Sequence, residues 1–295
     1  MQQCAACGKG VAAEERPGYY RLFRCESCGL RTIEPPDTVH DLSVEQNEDE
    51  YVRSYSGLLP SIVERRLRHV RAVVPPPARC LDFGGGFGYI AERLMDDGYD
   101  VTVLEKSRNA VKRMRRRGMR TIESLEDVSG EKFDVITLWH VLEHIADPVP
   151  VLQELSDFIK QDGHMIIAVP NADGFFAKVG FEHWIWTLPW HLHYIGERAL
   201  KTMLARSGLR VNSIETDTGD IAALECLLAG KLLRRSSRLK YQNVEAGTSE
   251  TNPGVFFRML RKALNPFSLL VQRIAAALGR GEEIVVNIVR APSEA

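Results

Sequence analysis

Short apolar runs alternate with longer stretches of helical spacing along the chain from Arg79 onward. The short runs are RCLDF, DVTVLE, MRTI, FDVITLW and HMIIAV, and helical patterns such as FGYIAERLMDDG and SRNAVKRMRRRG separate most of them. Such alternation is typical of a parallel sheet that is covered by helices on both faces. Two further strand-like runs, LRVNSIET and EEIVVNIVR, follow later in the chain. We therefore expect an α/β fold with a Rossmann-like sheet.

The rest of the chain divides into segments of different composition. Residues 1–32 hold two pairs of cysteines and predict a small module, and residues 33–50 are acidic and interrupted by proline, as in a linker. We expect the main domain to occupy residues 51–295. Within it, residues 221–281 are mainly of helical pattern and predict an insertion before the last strand.

The overall composition excludes several classes of protein. An apolar fraction of 44% and a charged fraction of 26% are typical of a globular protein. The formal net charge of −1 gives no global field that would attract nucleic acid or an anionic membrane. No apolar run reaches the ~18 residues of a membrane span, and the N-terminus MQQCAACGKG lacks the apolar core of a signal peptide. We expect a cytoplasmic protein in a reducing compartment.

Cys4, Cys7, Cys25 and Cys28 form two C-x2-C pairs. Each pair places two thiolates on one tight turn, and two such turns form a tetrahedral four-sulfur site of the kind that zinc prefers. Two disulfides or a redox-active dithiol are the alternatives. Zinc is favoured because a module of fewer than about 40 residues usually needs a metal in order to fold. The sequence therefore predicts a structural zinc ribbon.

A glycine-rich turn, LDFGGGFGY, connects the first strand of the alternating pattern to a helix. Gly84, Gly86 and Gly88 occupy alternate positions in it, so a ligand can approach bare backbone beside a helix N-terminus. The next strand ends in Glu105, whose carboxylate is placed to accept hydrogen bonds from ribose hydroxyls. Dinucleotide, nucleotide and flavin sites use similar turns, so the turn alone is weak evidence for any one of them.

The turn and a second motif together resemble a known family. LDFGGGFG has the pattern D-x-G-x-G-x-G, which resembles the first motif of class I S-adenosylmethionine-dependent methyltransferases. FDVITLWHVLEHIADP is similar to the fourth-strand segment of their ubiquinone-biosynthesis-like branch. The resemblance covers about residues 51–217 and the last strand, and it implies a sheet of seven strands with the last strand antiparallel. It also implies that S-adenosylmethionine is the cofactor, bound by Asp82, Gly84, Gly86, Gly88, Glu105, Trp139, His140, Tyr51 and Tyr55.

The stretch HVLEH, residues 140–144, also matches the H-x-x-E-H pattern of zinc peptidases. A peptidase needs this pattern inside a long helix, together with a further acidic ligand. Here the pattern follows a strand, and Asp147-Pro148 limits any helix to about one turn. We therefore do not expect a peptidase. His140 and His144 either satisfy local hydrogen bonds or, in the case of His144, act as a general base or orient the substrate.

The acceptor of a methyl group has to lose a proton, and the base for that step belongs on a loop over the carboxyl edge of the sheet. Residues 170–196 follow the fifth strand and carry three tryptophans together with His183, His191 and His193. They form either an aromatic lid that holds a base or a cap on the sheet whose histidines bond to the backbone. We predict His144, His191 and His193 as the candidate catalytic bases.

The sequence indicates the class of substrate less directly than it indicates the cofactor. The N-terminal module resembles the zinc-binding modules that precede methyltransferase domains in sugar C-methyltransferases and other biosynthetic enzymes. We expect methyl transfer to an oxygen, carbon or nitrogen atom of a small or carrier-linked substrate. One alternative is a ribosomal- or transfer-RNA methyltransferase that binds RNA through the ribbon. The charge of the ribbon argues only mildly for RNA, because acidic residues accompany its arginines. Another is a non-catalytic protein that docks a partner.

The predicted insertion holds a basic stretch, KLLRRSSRLK at residues 231–240, and an apolar series at helical spacing. One interpretation is a solvated stretch followed by a core helix or a homodimer-facing helix. The other is an amphipathic element that contacts a membrane or a lipid-linked substrate. The apolar series comprises Phe267, Leu270, Val271, Ile274 and Leu278.

Overall fold

A computed structural model describes most of the chain. Within its last helix, side chains are described from Pro266 onward. The described ranges are 3–14, 21–34, 48–54, 57–181, 184, 186–188, 190–218 and 255–291.

The chain forms two compact units, and each unit combines segments that are far apart in sequence. The N-terminal cysteine module shares its unit with the segment after the fifth predicted strand and with the described part of the predicted insertion, residues 255–281. The predicted ribbon, linker and main domain are each one continuous range of residues, unlike these units. Their limits stay a prediction. The first unit comprises residues 1–39, 170–200 and 215–284, and the second comprises residues 40–169, 201–214 and 285–295.

The first unit contains a small antiparallel sheet with the order β1-β2-β3-β9. The pairing of β3 with β9 sets Arg31 opposite Tyr194 and Thr32 opposite His193. Strand β3 extends to Glu34 through its pairing with β2, two residues past Thr32, where the sequence analysis ends the cysteine module. The four strands are β1 (Ala12–Glu14), β2 (Arg21–Arg24), β3 (Arg31–Glu34) and β9 (His193–Tyr194).

The second unit is built around a seven-stranded sheet, whose strand order is β10-β11-β8-β7-β4-β5-β6. The pairs β4–β5, β4–β7, β5–β6 and β7–β8 are parallel, which confirms the predicted Rossmann-like, mostly parallel sheet. The strands are β4 (Arg79–Phe83), β5 (Asp100–Leu104), β6 (Arg120–Ile122), β7 (Phe133–Trp139), β8 (Ile159–Pro170), β10 (Leu209–Asp217) and β11 (Glu283–Arg290).

Helices connect these strands. Two helices precede the first strand of this sheet, and the first of them begins inside the predicted linker. Among the described residues, no helix is both long enough and apolar enough to cross a membrane. The helices are α1 (Glu48–Ser54), α2 (Leu59–Val73), α3 (Tyr89–Asp96), α4 (Arg108–Arg116), α5 (Pro148–Phe158), α6 (Phe175–Gly180), α7 (Glu197–Arg206) and α8 (Val255–Ala277).

Local sequence explains where several elements begin. The Ser107 hydroxyl accepts a hydrogen bond from the Ala110 N–H at 3.4 Å and caps α4. Helix α5 begins with Pro148, whose missing N–H costs nothing in the first turn. All residues of β7 except Asp134 are buried, as expected of a central parallel strand. The carboxyl ends of β4, β5 and β7 therefore emerge from a rigid core.

Candidate cofactor site and metal centre

The turn between β4 and α3 leaves one glycine open to a ligand. A Cβ atom on Gly84 would lie 2.6 Å from Cγ2 of Val141, and one on Gly88 would lie 2.7 Å from a methionine side chain. Gly86 has a φ of 56°, and a Cβ there would meet nothing nearer than the Tyr51 hydroxyl oxygen at 3.9 Å. The backbone of Gly86 therefore faces space that a ligand can enter.

Three backbone N–H groups anchor the carboxylate of Glu105, directly after β5. Its Oε2 accepts from Gly86 at 2.8 Å, and its Oε1 accepts from Lys106 and Ser107 at 2.8 Å each. These bonds fix the carboxylate and occupy both lone pairs of Oε1, which leaves one lone pair on Oε2. A ribose beside Gly86 would find a hydrogen-bond acceptor already in place.

Asp82 supports the turn from inside the sheet. Its Oδ1 accepts from the Thr137 hydroxyl at 2.6 Å, and its buried Oδ2 has no hydrogen-bond partner among the described residues. Burial raises the pKa of Asp82 to about 6, and the Thr137 hydrogen bond offsets only part of this effect. The Oδ2 atom would lie 2.8 Å from a Cβ on Gly85, so the carboxyl group and the turn pack directly together.

Helix α1 brings Tyr51 over the glycine turn. The Tyr51 ring is parallel to that of Tyr89, with centroids 6.0 Å apart, and its centroid lies 5.0 Å from that of Phe87. This placement agrees with the predicted role of Tyr51 at the cofactor. Tyr55, the second predicted tyrosine, lies outside the described residues.

A buried arginine ties α1 to the same turn. Arg113 Nε donates to Glu48 Oε1 at 2.6 Å, and Nη1 donates to the Phe87 carbonyl oxygen at 2.7 Å. The Tyr89 hydroxyl donates to the same Glu48 oxygen at 2.8 Å, and the guanidinium lies 4.2 Å from the centroid of the Tyr89 ring. The hydrogen bonds from Arg113 and then Tyr89 lower the pKa of Glu48. No local pattern in the sequence reveals Glu48 and Arg113, because two charges 65 residues apart form no such pattern.

Trp139 and His140 lie where β7 ends. His140 has a φ of 56°, which is uncommon for a residue other than glycine and typical of functional sites. Its N–H donates to the Ala168 carbonyl oxygen at 2.9 Å, and its Nδ1 lies 3.3 Å from Oε1 of the buried Glu143. The Trp139 indole is buried, and its Nε1 has no hydrogen-bond partner among the described residues.

The segment HVLEH is not helical in the way a peptidase requires. It directly follows β7 and ends in a three-residue 3-10 turn, Leu142–His144. His144 is half-buried, and its N–H donates to the Val141 carbonyl oxygen at 3.0 Å. This geometry agrees with the expectation that the chain is not a zinc peptidase of the H-x-x-E-H type.

The other two candidate bases belong to the first unit and are both buried. His193 is part of β9, and its Nδ1 lies 3.1 Å from the Thr32 hydroxyl of β3. The His191 ring stacks on that of Trp186, with centroids 6.1 Å apart. His183 lies outside the described residues. The catalytic roles of His144, His191 and His193 stay a prediction.

Most of the described aromatic residues in the segment 170–196 form a core with the cysteine module. Phe181 makes an edge contact with Tyr194, with centroids 4.9 Å apart, and the Arg31 guanidinium lies 5.2 Å from the centroid of the Phe181 ring. The contacts of these side chains are those of a packed core and not those of an aromatic lid. The buried members of the cluster are Leu22, Ile33, Ala172, Phe176, Ala177, Phe181, Trp184 and Tyr194.

The four N-terminal cysteines converge on one point. All four Sγ atoms lie within 4.8 Å of one another, and the Cys4–Cys28 and Cys7–Cys25 separations are 3.5 and 3.4 Å. A tetrahedral zinc site with Zn–S bonds of about 2.3 Å requires sulfurs about 3.8 Å apart, so the cluster fits zinc. None of the four is in a disulfide, which argues against the disulfide alternative.

The two cysteine turns have the same backbone hydrogen bonds. The Gly8 N–H donates to the Cys4 carbonyl oxygen and the Gly29 N–H to the Cys25 carbonyl oxygen, each at 2.8 Å. Burial raises the pKa of Cys25, but hydrogen bonds from the Cys28 N–H and the neighbouring thiols outweigh burial and bring it down to about 7. Two equivalent turns that present four sulfurs are typical of a zinc ribbon.

Comparison with known proteins decides the family. Residues 52–214, more than half of the chain, match the profile of a family described as methyltransferase domain. The chain belongs to this family. The match spans the glycine turn, Glu105 and the segment from β7 to His144.

The relatives of this methyltransferase agree with that assignment. The ubiquinone biosynthesis O-methyltransferase of Xylella fastidiosa is 27% identical over 195 residues, which cover 56% of this chain and 79% of the relative. The enzyme of the same description from Xanthomonas axonopodis is 28% identical over 167 residues, covering 50% of this chain and 70% of the relative. A structure of an S-adenosylmethionine-dependent methyltransferase from Thermotoga maritima, 15% identical, has the same fold with a TM-score of 0.53 over 84% of this chain and 98% of that one. The protein is an S-adenosylmethionine-dependent methyltransferase.

The geometry of this methyltransferase fits the cofactor. Gly86 faces open space where a Cβ would intrude, Oε2 of Glu105 presents a fixed acceptor beside it, and Tyr51 lies over the turn. The individual roles of the predicted cofactor residues stay predictions, as does the assignment of the four cysteines as zinc ligands.

Proposed function

We propose that this methyltransferase transfers a methyl group from S-adenosylmethionine to an oxygen atom of a small or carrier-linked biosynthetic substrate. The arrangement of Gly86, Glu105 and Tyr51 is the observation that carries the cofactor side of this proposal. The oxygen acceptor is supported by the relatives, which are described as O-methyltransferases. The cofactor, when bound, supplies an electrophilic methyl group on a sulfonium.

The residues of this chain have to hold the cofactor and orient the acceptor. We propose that Glu105 accepts hydrogen bonds from the ribose and that the Gly86 backbone and Tyr51 bound the cofactor on two sides. Trp139 and His140, at the end of β7, are the proposed neighbours of its methionyl part. The positive φ of His140 turns the chain sharply there, and the 3-10 turn Leu142–His144 follows close to the end of β7.

His144 is the proposed general base among the three candidate histidines. It is half-buried and follows the end of β7, whereas His191 and His193 are buried. An imidazole on such a turn can take a proton from an acceptor hydroxyl near neutral pH.

The direct test is methyl transfer from labelled S-adenosylmethionine to a panel of small acceptors that carry hydroxyl or amino groups. The proposal expects label on oxygen, and label found only on nitrogen or carbon contradicts it. His144→Gln should lower kcat by roughly a hundredfold and leave the Kd of S-adenosylhomocysteine unchanged. His193→Gln is the comparison, since its loss should alter stability more than turnover.

We also propose that the four cysteines hold one structural zinc ion and that residues 1–32 are a zinc ribbon in a cytoplasmic enzyme. The sulfur separations and the absence of a disulfide among these four residues support zinc and a reducing compartment. Metal analysis should find one zinc ion per chain in the wild-type protein. Cys25→Ser should lose most of it, whereas Cys80→Ala, at a buried cysteine in the other unit, should keep it. Full zinc content in Cys25→Ser overturns this assignment.

A further inference from the structure

Helix α8 presents a continuous apolar stripe to solvent. Phe267, Leu270, Ile274 and Leu278 are 58%, 54%, 52% and 73% exposed. Their spacing of three, four and four residues places them on one face of the helix. They are more exposed than every other large hydrophobic residue among those the structure describes, where the next value is 44% at Val179.

The opposite face of α8 is firmly packed, so the exposure does not reflect a helix that is detached from the unit. Ser268, Gln272 and Ala275 are buried, and Val271 packs against the aromatic cluster of the first unit. Single exposed apolar residues are normal on a protein surface, whereas a contiguous row of four indicates an interaction surface.

All charged residues of α8 and the turn after it are basic. Between Val255 and Gly281 there is no acidic residue, although the whole chain has a net charge of −1. Arg273 is exposed within the stripe, between Leu270 and Ile274. The cations of the segment are Arg258, Arg261, Lys262, Arg273 and Arg280.

The exposed apolar row and the lack of acidic residues together favour a lipid surface over a second copy of the chain as the partner of the stripe. In an antiparallel pair of two copies, Arg273, near the middle of the stripe, would face its own counterpart with no carboxylate on either helix to balance it. An anionic lipid surface instead receives the apolar side chains among its acyl chains and pairs its headgroups with the arginines. No described helix can cross a membrane, so the contact lies in the plane of the surface.

We propose that the outward face of α8 docks the protein on an anionic lipid surface. The stripe of Phe267, Leu270, Ile274 and Leu278 enters the interface, and Arg273 contacts the headgroups. This surface does not depend on the proposed oxygen acceptor or on the identity of the base.

Sedimentation with vesicles tests the proposal on the full chain. Wild-type protein should bind vesicles of equal parts phosphatidylglycerol and phosphatidylcholine and should not bind vesicles of phosphatidylcholine alone. The double variant Leu270→Gln/Ile274→Gln should bind at least about tenfold more weakly, since two apolar side chains no longer enter the interface. Met95→Gln removes an exposed apolar residue elsewhere and should bind like the wild type.

Three outcomes overturn the proposal. Failure of the wild type to bind phosphatidylglycerol vesicles at low salt removes the lipid surface as the partner. A dimer that becomes a monomer in the double variant, measured by light scattering, assigns the stripe to a second copy of the chain. A large fall in the melting temperature of the double variant shows that another part of the chain covers the stripe, because substitutions at exposed positions are nearly neutral.

Discussion

The carboxylate oxygen Oε2 of Glu105 lies 2.8 Å from the backbone nitrogen of Gly86. This hydrogen bond joins the end of β5 to the open glycine of the turn that follows β4. The acceptor proposed for a ribose and the bare backbone beside it are therefore held in one fixed arrangement before a ligand arrives. Such preorganisation lowers the entropic cost of binding.

Glu105→Gln should weaken binding of S-adenosylhomocysteine by roughly tenfold to a hundredfold. The amide loses the negative charge and one of the two acceptors, so it cannot serve both the backbone N–H groups and a ribose. Isothermal titration calorimetry measures the change. Glu123→Gln, at an exposed carboxylate after β6, is the matched control and should keep wild-type affinity. Equal affinity of the two variants would remove Glu105 from the cofactor site.

Gly86→Ala and Gly118→Ala should cost similar stability but differ in cofactor binding. Both glycines have a positive φ, of 56° and 75°, so each alanine introduces about 1 kcal/mol of backbone strain. A Cβ at Gly118 meets nothing within 4 Å, whereas one at Gly86 enters the space assigned to the cofactor. Chemical denaturation and calorimetry together should find binding weakened only in Gly86→Ala. A loss of affinity in both variants would indicate a general effect of strain.

Glu48→Gln should weaken cofactor binding by about threefold or more, because Glu48 holds α1 and its Tyr51 against the turn through Arg113. The variant should leave the seven-stranded sheet intact, which circular dichroism can verify. Glu64→Gln removes the charge from a hydrogen bond of similar length, 2.7 Å, that Arg71 on α2 donates, and it serves as the control. If both variants and the wild type bound S-adenosylhomocysteine with the same Kd, the position of Tyr51 would have no effect on cofactor binding.

The buried carboxyl group of Glu282 should make stability depend on pH. Burial raises its pKa to about 7, and hydrogen bonds from the Trp184 indole and the Phe176 N–H offset only part of the effect. The pKa is thus higher in the folded protein than in the unfolded chain. The stabilising contribution of the protonated form is present at low pH and is lost as the pH rises through about 7.

Glu282→Gln does not titrate, so its free energy of unfolding should rise relative to the wild type by about 2 kcal/mol between pH 5 and pH 8. Urea denaturation at several pH values measures this difference. Glu131→Gln is the control: hydrogen bonds from Arg120 and Arg79 lower the pKa of Glu131 to about 2, below this range. Its difference from the wild type should stay constant. A constant difference for Glu282→Gln as well would show that the carboxyl group remains ionised throughout.

Local patterns in the sequence were sufficient for the sheet and for much of the candidate site. The alternation of apolar runs predicts β4 to β8 because a buried parallel strand needs consecutive apolar residues. The glycines of the turn, Glu105 and the four cysteines are candidates that the sequence indicates for a similar reason. Each chemical requirement falls within a few neighbouring residues, so a fixed spacing reveals it.

Contacts between distant segments were decided only by the tertiary structure. The sequence contains nothing that pairs Thr32 with His193, or Glu48 with Arg113, and it does not associate the cysteine module with the aromatic residues of segment 170–196. The same holds for the raised pKa of Glu282 and for the outward direction of the stripe on α8, since burial depends on what packs against a residue. Periodicity determines which face of an element is apolar, but the free energy of packing between remote elements determines what that face meets.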